Sequence, residues 1–292
     1  ESARGGGFIQ KLRYAFRFYV LAWKLRNEYD AVFVHMNQEY ILLGGFLWKI
    51  LGKKIFMWRN HYDGSLLTDI AVSLCTKVFC TSKFSYTAKY KKTVLMPVGV
   101  DEDSAHMDEV IERKPNSILF LGRLDISKKP HILIDALGIL AQKGIQFTVT
   151  LVGGPSKDDA QYPEELRAQV ERLGLGERIV FTGAVPNTET YRYYRSHEIF
   201  VNCSRSGMLD KTIFKAVACG CLVLVTSKDF ADMAGQEFSF ADDDREGLAQ
   251  KLQEFLALDT SSRTRMTEAL NSVIKTHSLP VLVERLNHEM TK

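Results

Sequence analysis

The sequence of 292 residues predicts an α/β fold with two doubly wound parallel-sheet domains in tandem. Short apolar segments of strand length alternate with longer segments of helical pattern, which is typical of βαβ units. A polar, highly charged stretch interrupts this alternation once, and a second series follows it. We therefore predict a first domain at residues 1–105, a linker at 106–116, a second domain at 117–265, and terminal helices at 266–292 that could pack back on the first domain.

In the first domain the pattern predicts strands at residues 31–35, 54–58, 78–81 and 93–96, with helices at 40–51 and 66–75. A segment of helical periodicity at 8–26 precedes the first strand. The chain begins with Glu1 rather than methionine, and only this one helical segment comes before the first strand. We therefore expect the first domain to be incomplete at its N-terminus.

In the second domain the pattern predicts strands at residues 118–121, 148–152, 179–182, 199–202 and 222–226. Helices are predicted between them at 130–143, 164–173, 189–196 and 212–218. Further helical segments follow at 247–258, 264–276 and 280–290. The strand-helix rhythm of this half is again that of a parallel sheet.

The composition indicates an ordinary globular protein. The net charge is +3, from 38 basic and 35 acidic residues, so no overall field favours nucleic acid as a partner. The five cysteines lie in apolar runs without the paired spacing of a zinc site, so we expect buried, reduced thiols. No membrane-spanning run or signal peptide is visible, and we expect a cytoplasmic location.

The sequence after the first strand of the second domain suggests an anion site. Gly122-Arg123-Leu124, followed by Lys128, connects that strand to the next helix. Two cations at a glycine turn beside a helix start are suited to a diphosphate, and this indicates a nucleotide-sugar donor. The alternative is a tight turn with ordinary surface cations.

Two other loops that follow strands in this domain also begin with glycine. Gly153-Gly154 follows the second strand, and Gly183-Ala184-Val185 follows the third. Ligands of open parallel sheets bind beyond the carboxyl ends of the strands, where glycine lets a backbone approach them closely. A turn that needs a positive φ would explain each glycine equally well.

In their order and spacing, these motifs resemble the donor domain of the family 4 retaining glycosyltransferases, which have the GT-B fold. The resemblance covers residues 117 to about 260 and includes the run Ala216-Val217-Ala218-Cys219-Gly220. It implies that Arg123 and Lys128 bind the donor diphosphate and stabilise the charge that develops on it, which is physically reasonable. It also implies that backbone groups of Gly183-Ala184-Val185 contact the base. In the first domain, His61 matches the family's histidine, which faces the donor sugar across the interdomain cleft.

The sequence departs from the family between Ser204 and Gly220. Two glutamates, eight positions apart, usually contact the donor sugar and the ribose, but here Gly207 and Lys215 occupy those positions. Residues 207–211, Gly-Met-Leu-Asp-Lys, resemble a subgroup variant in which backbone amides of Gly207, Met208 and Leu209 contact the sugar. In that variant Asp210 and Lys211 open the following helix. Asp210 could equally be only the N-cap of that helix.

The N-terminal segment at 8–26 combines aromatic and basic residues. Such a segment could draw the first domain to an anionic bilayer, where lipid-linked acceptors lie. The alternative is a helix that packs its apolar face on the sheet while its cations are solvated.

The leading hypothesis is a retaining hexosyl-type glycosyltransferase. It would move a sugar from a nucleoside-diphosphate donor to a hydroxyl of a saccharide or a lipid-linked glycan. In the family's favoured mechanism the leaving phosphate accepts the acceptor's proton, so we expect no metal, no cofactor and no carboxylate nucleophile. The alternative is a catalytically degenerate GT-B protein that acts as a binding or scaffold subunit.

Overall fold

The computed structural model describes residues 7–101, 111–207 and 209–292. Contacts divide the chain into two compact units, Glu1–Met96 and Pro97–Lys292. Each unit has its own parallel sheet with helices between the strands, as the alternating pattern predicts. Of the linker predicted at 106–116, residues 106–110 lie outside the described residues, and the packing predicted for 266–292 stays a prediction.

The sheet of the first unit has the order β1-β2-β3-β4, and all of its strand pairs are parallel. Its elements are α1 (Phe8–Lys24), β1 (Ala31–His35), α2 (Glu39–Ile50), β2 (Lys54–Trp58), α3 (Leu66–Leu74), β3 (Lys77–Cys80), a 3₁₀ turn (Tyr86–Lys89) and β4 (Thr93–Leu95). The central strand β2 buries Ile55, Phe56 and Met57 in succession. Ile55 and Met57 belong to the core cluster shared with α2 and α3, whereas the Phe56 ring stacks on Phe79 of β3.

The sheet of the second unit has the order β7-β6-β5-β8-β9, also all parallel. Its strands are β5 (Ser117–Leu121), β6 (Thr148–Val152), β7 (Ile179–Gly183), β8 (Ile199–Asn202) and β9 (Leu222–Val225). Its helices are α4 (Pro130–Gln142), α5 (Tyr162–Arg172), α6 (Thr190–Ser196), α7 (Lys211–Ala218), α8 (Lys228–Ala234), α9 (Arg245–Leu256), α10 (Thr260–Thr276) and α11 (Leu279–Thr291).

Among the described residues, the sequence pattern missed one α-helix and misplaced the starts of three others. Helix α5 begins at Tyr162, two residues before the predicted start at 164. The short helix α8 was not predicted, although Ser227 caps it and its Phe230 is fully buried. Helices α9 and α10 begin two and four residues before the predicted starts at 247 and 264. Both begin where an aspartate, Asp244 or Asp259, accepts a backbone N–H of the first turn. The capping aspartates therefore give the true starts, whereas the apolar periodicity begins a turn later.

The cysteine prediction is confirmed. All five cysteines are buried and free. Burial raises the pKa of Cys203 and Cys221 to about 12, so these thiols are not activated nucleophiles. Among the described residues, no helix combines the length and the apolar character needed to cross a bilayer.

Candidate functional site

The strand order of the second unit creates a crevice at one end of its sheet. From β5 the chain adds β6 and β7 on one side, and then returns to place β8 and β9 on the other side. Such a reversal is a topological switch point, where the loops after the two central strands diverge and leave space for a ligand. The segments that follow β5 and β8 therefore flank this switch point. They contain most of the predicted donor-site residues.

Three loops at this end are joined by backbone hydrogen bonds. The N–H of Gly122 donates to Val152 O at 3.0 Å, and the N–H of Gly153 donates to Gly183 O at 2.9 Å. A Cβ on Gly153 would lie 1.7 Å from Gly122 O, so no side chain fits there. Gly183 has a φ of +75°, whereas the space beside it is open. Gly122, Gly153 and Gly183 thus form a continuous backbone ledge, and Ala184 and Val185 extend the chain from its outer end.

Asp125 organises the loop that follows β5, and the sequence reasoning did not single it out. Its Oδ1 accepts from the Ser127 hydroxyl at 2.6 Å and from the Lys128 N–H at 3.0 Å. Its Oδ2 lies 3.2 Å from Nε of Arg123. The carboxylate is almost completely buried, whereas the Arg123 side chain is 62% exposed. Arg123 is therefore anchored at its Nε, and the rest of its guanidinium faces solvent.

Lys128 and Asp210 form an ion pair across the switch point, and both side chains are mostly buried. Asp210 also accepts the Thr212 N–H at 3.1 Å as the N-cap of α7. Burial opposes the charged form of Asp210, but the Lys128 ammonium and the Thr212 donor outweigh it and lower its pKa. Asp210 is therefore both a helix cap and the partner of a predicted catalytic cation.

Asn202, the last residue of β8, completes this cluster. Its amide nitrogen lies 3.4 Å from Asp210 Oδ2 and 3.3 Å from the Thr212 hydroxyl. Its amide oxygen accepts the Ser204 N–H at 3.0 Å. Nothing in the sequence distinguishes Asn202 except its place at a strand end. We infer that it orients the Asp210 carboxylate towards Lys128.

Lys129, which follows Lys128 in the sequence, points elsewhere. It adopts the left-handed conformation, with a φ of 50°, and its ammonium lies 2.7 Å from Asp242 and 2.8 Å from Asp243. These contacts tie the start of α4 to the segment before α9. Of the two neighbouring lysines, only Lys128 contacts the Asp210 cluster.

Lys215 lies one turn further along α7 and contacts the loop that follows β7. Its ammonium donates to Asn187 Oδ1 at 2.9 Å and lies 5.1 Å from the centre of the Tyr191 ring. Among the described residues, no carboxylate is within ion-pair distance of it. Burial, with a smaller effect of Lys211, lowers the pKa of Lys215. This half-buried ammonium therefore lies at the outer end of the backbone ledge.

The remaining donor-loop residues surround the start of α7. Gly207 has a φ of +100°, a left-handed conformation that favours glycine. The side chain of Leu209 is buried in the core of the unit. The Lys211 ammonium lies 3.4 Å from Gly99 O. The predicted contact of Met208 lies outside the described residues.

His61 belongs to the first unit and follows β2. Its Nδ1 accepts the Asp63 N–H at 2.9 Å, and its ring stacks on Tyr62 with centroids 4.6 Å apart. The backbone carbonyl of His61 accepts the Tyr86 N–H at 2.8 Å. These contacts fix the position of the ring at the carboxyl end of the first sheet. Its role towards a sugar stays a prediction.

Comparisons with known proteins agree with this architecture. Residues 115–257 match the sequence model of the glycosyl transferases group 1 family. Mannosylfructose-phosphate synthase of Agrobacterium fabrum is 29% identical over 153 residues, which are 48% of this chain and 34% of the relative. The alpha-monoglucosyldiacylglycerol synthase of Streptococcus pneumoniae is 22% identical over 247 residues, which are 73% and 55% of the two chains.

The fold also resembles solved structures. Anabaena HepE in complex with UDP superposes with a TM-score of 0.81 at 18% identity, covering 94% of this chain and 81% of that one. Residues 115–257 belong to the glycosyl transferases group 1 family, and the two parallel-sheet units have the GT-B fold. The chain spans only about a third and about half of the lengths of the two curated relatives.

Proposed function

We propose that this protein transfers a sugar from a nucleoside-diphosphate donor to a hydroxyl acceptor, with retention of configuration at the anomeric carbon. The observation that carries this proposal is the pair of anchored cations, Arg123 and Lys128, on one loop at the switch point of the second unit. Cleavage of a sugar-phosphate bond leaves negative charge on the diphosphate. Cations that are already in place stabilise that charge without reorganisation.

The backbone ledge supports binding of the nucleotide part of the donor. The space beside Gly183 is open, so a flat or anionic ligand could approach the main chain there. HepE has been solved with UDP and with UDP-glucose, which makes a uridine donor the first to test here. We propose that Gly183, Ala184 and Val185 contact the base, and that His61 acts on the donor sugar from the first unit.

We propose that the acceptor is a saccharide or a lipid-linked glycan. One curated relative is named as a synthase of a glycosylated diacylglycerol, so a lipid acceptor has a precedent among similar proteins. The described residues contain no cluster of three or more metal-ligating side chains. We also propose that the reaction needs no metal. A chelator should therefore leave the rate unchanged.

The experiment that tests the donor site measures ligand binding and turnover in the full chain. Saturation with UDP at 100 times its Kd should stabilise the protein by about 2.7 kcal/mol. Arg123→Ala should weaken this stabilisation and lower sugar transfer by about 10²- to 10³-fold, the usual cost of losing one charge-stabilising donor. Arg265→Ala, at an exposed arginine of α10, is the matched control and should behave like the wild type.

The outcomes separate the two candidate functions. Nucleotide binding together with sugar transfer supports the enzyme, and NMR of the product shows whether the anomeric configuration is retained. Binding without transfer to any acceptor tested would favour a degenerate GT-B protein that acts as a binding subunit. If UDP, GDP and ADP all fail to bind, the donor-site proposal is wrong.

We also propose that α1 brings the protein to an anionic bilayer. The exposed apolar side chains Phe8, Leu12, Phe16, Tyr19 and Trp23 form one stripe along the helix. Arg13, Arg17 and Lys24 lie along one flank of this stripe, and the helix contains no acidic residue. An apolar stripe flanked by cations is suited to the headgroup region of an anionic membrane.

Vesicle sedimentation tests the membrane proposal. The wild type should bind vesicles rich in phosphatidylglycerol and not pure phosphatidylcholine, because the cations supply much of the attraction. Phe16→Glu should abolish this binding. Val180→Glu, at an exposed apolar position of the second unit, should leave it unchanged. Equal binding of the wild type and Phe16→Glu would contradict the proposal.

A further inference from the structure

One buried carboxylate contacts both residues that are predicted to bind the diphosphate, Arg123 through its guanidinium and Lys128 through its backbone N–H. Asp125 is 2% exposed, and each of its oxygens has a separate set of partners. Oδ2 pairs with the Arg123 guanidinium, whereas Oδ1 accepts the Lys128 N–H and the Ser127 hydroxyl. Within six residues of chain, a single side chain therefore links two cationic residues, one before it and one after it.

The two contacts restrict different parts of the loop. The Lys128 N–H bond closes a short turn over Ile126–Lys128, and this turn directs the Lys128 side chain towards Asp210. The Nε contact restricts the Arg123 side chain, which is mostly exposed. A long, exposed side chain could otherwise adopt many rotamers. Without Asp125, Arg123 would have to be ordered by the ligand itself, and Lys128 would be held by Asp210 alone.

We propose that Asp125 is a positioning residue that sets Arg123 and Lys128 for the donor diphosphate. This inference rests on the proposed function. In the proposed reaction, Asp125 itself does not contact the reacting atoms. Its effect is to lower the ordering cost that binding and the reaction would otherwise incur, because groups fixed in advance lose less freedom when the charge develops.

The Asp125→Asn variant separates the two contacts. Asparagine keeps an Oδ1 that can accept the Lys128 N–H, whereas its NH₂ group cannot accept from Arg123. We expect this variant to keep the turn and the wild-type melting temperature. Its kcat/KM for the donor should fall by about 10- to 100-fold, the size of effect that a misplaced group produces. Asp259→Asn, the same exchange at the exposed N-cap of α10, is the matched control and should leave activity unchanged.

A double-mutant cycle distinguishes positioning from a general loss of structure. If Asp125 acts through Arg123, then Asp125→Asn in an Arg123→Ala background should reduce kcat/KM and UDP affinity by less than twofold. A purely structural role would give the same reduction in both backgrounds, and that additive result would overturn the inference. Coupling free energies of this kind are measurable when two residues share a contact.

A replacement variant and a comparison with the wild type keep the test decisive. If Asp125→Asn does not fold, Asp125→Ser replaces it, because a serine hydroxyl can also cap the turn but cannot reach Arg123 in the same way. Wild-type protein that binds no nucleoside diphosphate would refute the proposed function rather than this inference. Wild-type protein that binds UDP, together with an Asp125→Asn variant that matches it in UDP affinity and kcat/KM, would refute the inference alone.

Discussion

The ammonium of Lys128 contacts the carboxylate of Asp210, and this pair joins the loop after β5 to the first turn of α7. The two residues are 82 positions apart in the sequence. They meet because β5 and β8 are neighbours in the sheet. Because Asp210 also caps α7, the position of the predicted catalytic lysine is coupled to the start of a helix.

Removal of Lys128 should affect stability as well as activity. Lys128→Met leaves Asp210 buried without its cation, and we expect a loss of about 3 kcal/mol in the free energy of unfolding. The double variant Lys128→Met with Asp210→Asn removes both charges and should recover most of that loss, because asparagine is also a good N-cap. Urea titration measures the stability. Sugar transfer should stay low in both variants, and recovery of turnover in the double variant would contradict the assigned role of Lys128.

Gly153→Ala should disrupt the backbone ledge. Its new Cβ would lie 1.7 Å from Gly122 O, so the loops must separate. We expect a loss of about 2 to 3 kcal/mol in stability, typical of overpacking, together with weaker UDP binding. Gly144→Ala is the control, because Gly144 has a φ of +74° and open space around it. That change should cost about 1 kcal/mol and leave UDP affinity unaltered.

Lys215→Met tests whether the half-buried ammonium serves a ligand rather than the fold. Burial disfavours the charged amine, and the attraction of Asp101 offsets it only in part. We expect the free energy of unfolding to stay the same or to rise by up to about 1 kcal/mol, while UDP affinity falls. Calorimetry measures the affinity, and Lys275→Met on α10 is the control. Unchanged UDP affinity would show that Lys215 does not face the nucleotide.

Acid should destabilise the second unit partly through His277. Its Nδ1 accepts the Val98 N–H at 3.1 Å, and burial lowers its pKa from the ordinary 6.5. The folded protein therefore binds this proton less readily than the unfolded chain does. The contribution of His277 is complete above pH 6.5 and declines as the pH falls below that value.

Thermal unfolding between pH 7.5 and 5 measures this dependence. His277→Asn offers an Oδ1 that can accept the same N–H without titrating. Its melting temperature should change less over this range than that of the wild type. An identical pH dependence in the two proteins would assign the acid sensitivity to other groups, such as His197, whose pKa burial also lowers.

The sequence predicted the sheets well because their strands are short apolar runs bounded by turn residues. It also placed Arg123 after a strand end and Asp210 at the start of a helix, where the structure has them. It could not predict that Asp125 contacts Arg123, since a carboxylate after a glycine turn has no fixed partner until the loop closes. The Lys128–Asp210 pair depends on strand order, which βαβ alternation alone does not specify. Lys215 stood out in the sequence only as a departure from the family pattern. Its contact with Asn187 could not be predicted without the fold.

The ledge formed by Gly122, Gly153 and Gly183 has a consequence for engineering this protein. Its contacts run from main chain to main chain, so exchanging side chains there would damage the ledge without creating a new preference. Donor selectivity would have to be altered at its outer end, where Asn187, Tyr191 and Lys215 meet. A library for new donors is therefore best restricted to those three positions.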